Sequence, residues 1–339
     1  MANMLSPLLS GQTQLAALVG DFAGLDGIEA LTVEAAGASG GMAMRQAYLA
    51  ITSGEVDVAL VVGAEKVTDK ISAEATTALA SSADSDSEVV QGITPAAQAA
   101  LLMRRYLHEY DAPMDAMSGF SITAHANAVS NTAAMYRRAI DLDRYRLAPM
   151  VSEPVNMFDS APVADGAAAI ILARREAIPT GTPHPAVLIA GSGASTAPPA
   201  LHDRRNALKF AAAEISCQRA LTQADIGLED IDLFELHDAF SICAALSLEA
   251  CGFADPGQGW KLARDDRIAL DGEIPILTFG GSKARGDTAG ATGLYQIVEV
   301  VHQLRGSAGE NQVQGARAGL AQCLGGLGST AVTHVLGAS

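Results

Sequence analysis

Basic and aromatic side chains are both scarce in this sequence. Of 339 residues, 22 are Lys or Arg against 38 Asp or Glu, a formal net charge of −16, and aromatics make up 4% with a single Trp. An acid excess of this size argues against nucleic acid or an anionic membrane surface as partner, and on its own serves solubility. Cysteines are few, and Cys217, Cys243, Cys251 and Cys323 show no C-x-x-C spacing. That disfavours a metal site and a disulfide framework and fits a reducing compartment. No signal-peptide pattern and no apolar run of membrane-spanning length is present, so the expectation is a soluble, cytoplasmic protein.

What the chain does have is Ala, Gly, Val and Leu, within a hydrophobic share of 49%. That mix predicts an α/β protein in which Val/Ile strands carry closely packed Ala-rich helices. The length suits two domain-sized halves or one large folded unit. A helical stretch is expected around Gln14–Val19, a strand over Ala30–Ala36 running into a glycine-rich turn, and a helix over Gly40–Ser53. Asp57–Gly63 reads as a strand buried on both faces, Ala80–Glu88 as a loop, and Pro95–Tyr110 and Asp115–Ser130 as helices. Asp165–Ala173 and Gly328–Leu336 echo one another, each placing a small-residue turn before a strand, and Ile231–Leu236 is a fainter counterpart of Asp57–Gly63. The pattern predicts a duplicated α/β unit with Glu176–Pro185 as linker and Ala186–Gly191 opening the second half.

The segment Val33–Gly41, VEAAGASGG, resembles the nucleophile segment of thiolases, V-E-A-A-C-A-S-G-G, at every position but one. Further likenesses follow in family order: Ser53–Lys66 (SGEVDVALVVGAEK), Phe158–Ala169 (FDSAPVADGAAA), Leu236–Phe240 (LHDAF), Gly280–Asp287 (GGSKARGD) and Cys323–Gly326 (CLGG). On these residues the chain is similar to thiolases along essentially its whole length, above all to their archaeal and sterol-carrier-protein-type branch. The resemblance implies a fold of two duplicated α/β halves, residues 1–178 and 183–339, with stacked mixed five-stranded sheets and a loop domain inserted at about 70–150. It also implies at least a dimer. Met1–Leu18 resembles a region that thiolases reach only after a first strand–helix unit. That implies the unit is absent here and an inner sheet position is left unfilled, with an edge to be covered.

The same resemblance assigns the site. Gly37 stands where the family carries its reactive cysteine, so the turn and its N–H groups remain while the nucleophile is gone. Those N–H groups and the start of the following helix can still stabilise an oxyanion, and Gly325 supplies a second backbone contact. His237, in H-D-A-F, takes the place of the family's oxyanion-hole donor to the thioester carbonyl. Asp287 stands where the family has its general-base histidine in G-H-P; a carboxylate can accept a proton, but its ordinary pKa of about 4 makes it a weak base unless buried. Leu277-Thr278-Phe279 replaces a polar N-P-S, and Phe279 is expected to fill space that a thiolase leaves polar. Cys323 falls on the family's C-x-G position, as an auxiliary acid. Arg204, Arg205 and Lys209 are the basic candidates for the phosphates of coenzyme A, the expected ligand as its thioester, against the alternative of an ordinary charged helix face.

Three functions follow. The chain makes or breaks a carbon–carbon bond of a CoA thioester without an acyl-enzyme, as in retro-aldol cleavage. Alternatively, it is an inactive subunit paired with an active thiolase-like chain. The third reading is a working thiolase with another nucleophile. Implied partners are a second copy, a thiolase-like chain, or a small zinc-ribbon/OB-fold accessory protein of the kind that archaeal relatives use.

Overall fold

A computed structural model describes residues 1–338. The first half runs α1 (Ser6–Leu9), α2 (Leu15–Phe22), α3 (Ser39–Ser53), β1 (Val58–Glu65), α4 (Ser72–Ala80), α5 (Pro95–Glu109), α6 (Ser118–Asn127), α7 (Leu142–Arg146), β2 (Met150–Ser152), β3 (Val155–Asn156) and β4 (Gly166–Ala173). The second runs β5 (Val187–Thr196), α8 (Ala211–Ala224), β6 (Leu233–Glu235), α9 (Ser241–Cys251), α10 (Gly259–Arg264), α11 (Thr292–Leu304), β7 (Ala318–Gly325) and β8 (Thr330–Ala338).

The local signals are those of ordinary helix ends. Thr94 accepts from Ala97 N at 3.2 Å and Pro95 opens α5 with its φ already set. Gly54, at φ 83°, closes α3 in the left-handed conformation that glycine adopts without penalty.

β5, β8, β7 and β6 form one sheet in that order, antiparallel except for the parallel β6–β7 pair. A bridge between Phe234 and Ile276 marks a fifth position beyond β6. In the other sheet β1 pairs antiparallel with β4 from Val58↔Ala173 to Glu65↔Gly166. Ala2 bridges both Gly63 and Val33, so residues 1–3 lie between β1 and the chain around Val33. The inner position expected to be empty is therefore occupied by the chain's own first residues. The expected strand over Ala30–Ala36 is instead extended chain with isolated bridges, because its partner segment is so short. Val33 N donates to Met1 O at 2.8 Å and Asn3 N to Val33 O at 3.3 Å.

β1 is not buried on both faces. Val58, Leu60 and Ile171 stand 53%, 50% and 70% exposed on its outer side, where no element among the described residues packs. Side-chain alternation sorts β6 cleanly. Phe234 and Leu236 join the cluster that includes Cys217 and Ala245, whereas Leu233 packs with Ile297 and Val300 of α11. Glu235 and His237 therefore share the face turned toward α11 and α3. Those two helices meet backbone to backbone. A Cβ on Gly40 would lie 2.5 Å from Leu294 N, so only glycine permits the approach. No helix among the described residues is long and apolar enough to cross a membrane.

Candidate active site

Gly37 lies just before α3, and the preceding Ala36 holds a left-handed φ of 50°. Ser39 fastens this turn: its hydroxyl donates to Ala36 O at 2.6 Å and accepts from Ala35 N at 2.8 Å. His237 faces the turn. A Cβ built on Gly37 would be 3.0 Å from its Cε1, 3.4 Å from its Nε2 and 2.6 Å from Leu324 O. The space a side chain would need is thus shared by the imidazole edge and a backbone carbonyl. Burial pushes His237 below its ordinary value, against the pull of the Asp287 and Asp238 carboxylates, so the ring is neutral near pH 7.

Two further loops complete the site. Asp238, fully buried, accepts from Ser282 N at 2.6 Å and Lys283 N at 3.2 Å, pinning the glycine-rich turn to the H-D-A-F segment. Asp287 is partly exposed, and its Oδ1 accepts from Ala289 N at 3.0 Å and Thr292 Oγ1 at 2.7 Å at the start of α11. Residues 160–164 lie between the two loops. Ala161 N donates to Ala239 O, Asp287 N to Pro162 O and Ala164 N to Asp287 O, each at 2.8 Å. Left-handed φ values at Ala36, Leu277 (51°) and Ala289 (44°) mark all three site loops with backbone that L-residues rarely adopt.

A cavity of about 510 Å³ lies beside this scaffold and shares Lys283 and residues 160–162 with it, but Gly37, His237 and Asp287 are not among the residues that line it. Ser160–Pro162 and Lys283 line it on the side of the site, Met135, Ile140, Met157 and Phe158 contribute apolar wall, and Arg137, Arg138 and Arg144 bring positive charge. Lys283, 2% exposed, donates from Nζ to Asp159 O and Asp238 O at 3.0 Å each, and burial lowers its pKa from the ordinary value. The cavity has the size and mix of a small-molecule site, with apolar walls and a few convergent polar groups.

Other expected site residues stand elsewhere or in other roles. Cys323 is in the core. Its Sγ lies under α3 against Gly41, with Ala38 O at 3.7 Å, and burial pushes the thiol up to about 12, so it is a packed, protonated side chain that does not line the cavity. Gly325 is buried against Ala35 O, and its own carbonyl accepts from Ser329 N at 3.1 Å. Arg204 spends its guanidinium on the carbonyls of Pro198, Pro199 and Leu327, at 3.0, 3.3 and 2.6 Å, which makes it a loop staple. Lys209 pairs with Glu214 at 2.9 Å, and Arg205 is exposed. None of the three lines the cavity. Phe279 stands beside His302, with ring centroids 6.1 Å apart, on a partly exposed edge. No sequence motif marks the cavity's arginines or Glu235, and for Lys283 the signal is a lysine and an arginine inside the glycine-rich turn GGSKARGD.

Fold and site together define a class: an α/β protein of two like halves whose central helix begins at a tight turn faced by an imidazole. Residues 1–176 match the family model described as "Thiolase, N-terminal domain" and residues 193–338 the one described as "Thiolase C-terminal domain-like". The chain belongs to the thiolase family. It is 37% identical to an acetyl-CoA acetyltransferase of Methanothermobacter thermautotrophicus over 99% of this chain and 87% of that protein. It is also 28% identical to sterol carrier protein 2 of Bos taurus, over 91% of this chain and 59% of that one. The solved structure of the Ltp2-ChsH2(DUF35) aldolase superposes with a TM-score of 0.81 at 23% identity, covering 94% of this chain and 83% of that one, a likeness of fold.

Proposed function

We propose that this chain binds a CoA thioester in the arginine-bearing cavity and makes or breaks a carbon–carbon bond of it without an acyl-enzyme. The observation that carries this reading is the neutral His237 edge packed against Gly37, a donor at the turn with no nucleophile beside it. Arg137, Arg138 and Arg144 suit the phosphates of the ligand and the Met157–Phe158 wall its apolar arm. In the retro-aldol direction Asp287 takes the proton of a β-hydroxyl through Oδ2, the carboxylate oxygen not engaged at the start of α11. The Cα–Cβ bond then breaks, releasing an aldehyde or ketone. Its electron pair becomes the thioester enolate, whose oxygen accepts from His237 Nε2–H. Protonation at Cα completes the acyl-CoA product.

The engaged Asp287 Oδ1 favours a second reading, in which this carboxylate only shapes a turn and the chain is an inactive subunit of a thiolase-like assembly. Release of aldehyde or ketone from β-hydroxyacyl-CoA esters separates the two. On the catalytic reading it falls about 100-fold or more in both His237→Ala and Asp287→Ala. Turnover that survives both substitutions removes the site assignment. No heat of binding with CoA at millimolar ligand leaves only the inactive-subunit reading. The aldolase of like fold is named together with ChsH2(DUF35). A small accessory protein of zinc-ribbon/OB-fold type, a thiolase-like chain or a second copy is the proposed partner here. Purification from the native source that yields this chain as a lone monomer would count against all three.

A further inference from the structure

Buried polar atoms without hydrogen-bond partners include Glu235 Oε2, His237 Nδ1, Glu299 Oε2 and both side-chain heteroatoms of Gln296. Such atoms are rare in folded proteins, and none of these four residues is more than 5% exposed. The alternation along β6 turns Glu235 and His237 toward α11, where Gln296 and Glu299, one turn apart, are buried together. Arg285 is the cation that acts on both Glu235 and Glu299, and it is paired with Glu299 alone. Arg285 Nε lies 2.8 Å from Glu299 Oε1 at ion-pair distance but outside hydrogen-bonding alignment, which leaves Glu299 Oε2 free. Thr278 donates to Glu235 Oε1 from N at 2.8 Å and from Oγ1 at 2.5 Å. Two buried carboxyls against one cation retain a proton between them.

We infer that Glu235 is a positioning residue for His237. Its protonated Oε2 donates through one buried water to Nδ1 and holds the imidazole in the tautomer that carries its proton on Nε2, toward Gly37. Alternate residues of an extended chain lie roughly 6.6 Å apart at Cα, and neither Glu235 Oε2 nor His237 Nδ1 has a direct hydrogen-bond partner, which leaves a bridging water to join them. Gln296 offers that water a third partner. Burial raises both Glu235 and Glu299 above the ordinary carboxyl range, consistent with the retained proton. The other charged groups acting on His237 are Asp287 and Asp238, which favour its protonation, and Arg285 and Lys283, which oppose it. With the ring neutral, its tautomer is what remains to be fixed. On ionisation Glu235 becomes an acceptor, which draws the imidazole proton to Nδ1 and leaves Nε2 bare. What the Nε2 proton does in turnover rests on the proposed function; the tautomer does not.

Nitrogen NMR of the full chain with isotope-labelled histidine reads the tautomer directly, with His237 identified by its loss in His237→Gln. The expected result is an Nε2–H ring in the wild type and in Glu235→Gln, whose amide still donates, and a shift toward Nδ1–H in Glu235→Leu. A wild-type ring already protonated on Nδ1, or an unchanged ring in Glu235→Leu, overturns the inference. Should Glu235→Leu fail to fold, a wild-type titration serves, with the Glu235 carboxyl carbon followed alongside. The ring must change tautomer as that carboxyl ionises, and a ring that stays constant throughout overturns the inference. A Glu235-dependent tautomer in a protein without turnover would sink the proposed function and leave this relay standing.

Discussion

Gly37 differs from a cysteine by more than a lost thiol. Leu324 O and the His237 ring edge lie where a Cβ would go, and the carbonyl belongs to a strand and cannot swing aside. Gly37→Ala should therefore cost about 1–3 kcal/mol through overpacking, read as a lowered denaturation midpoint with unchanged slope. A midpoint equal to wild type would mean the turn has room after all. At this scale the sequence spoke unevenly. Gly37, His237 and Asp287 could be picked out because each falls on a motif position of the family. Glu235 could not, since an acid in IDLFEL looks like the polar end of a strand, and only the fold shows it fully buried beside Glu299. Cys323 was legible and misleading: its motif position is right, but its sulfur packs under α3.

Elements were legible where their own residues decide them. The small-residue approach to β4 and β8 and the Pro-led start of α5 fold as their patterns predict, and the apolar run of β1 forms its strand but leaves one face exposed. The chain around Val33 does not, because what it pairs with is residues 1–3, a contact no local pattern announces. Glu65 secures that contact. From the end of β1 it accepts from the backbone N–H groups of Met4 and Leu5 and from Asn3 Nδ2. Burial pushes Glu65 up to about 7, against those hydrogen bonds, which lower it. A carboxyl raised in the folded state binds its proton more tightly there than in the unfolded chain. Its contribution is full below about 4.5 and is lost as pH rises through about 7. Unfolding free energy followed from pH 5 to pH 8 should thus carry a downward component in the wild type that Glu65→Gln lacks. Parallel pH profiles of the two proteins would show that Glu65 titrates normally.

Across the whole molecule the family, the two-half α/β fold and the acidic surface could all be read from sequence, while the location of the cavity could not. Its arginines lie between α6 and β2, in a stretch whose composition looks like any charged loop. All four cysteines are buried, and Cys243 and Cys323 are each pushed by burial up to about 12. A thiol reagent at neutral pH should label none of them in the native protein and all four after denaturation; prompt labelling of one would reveal a reactive thiol that this packing forbids. The Leu324 carbonyl beside Gly37 also couples the turn to the imidazole. That carbonyl belongs to β7, which is laddered to β6, and β6 leads directly into His237. A side chain at position 37 would push on the strand pair that aims the imidazole, so turn, strand pair and ring behave as one lever, and a change at the turn is felt as a re-aimed donor.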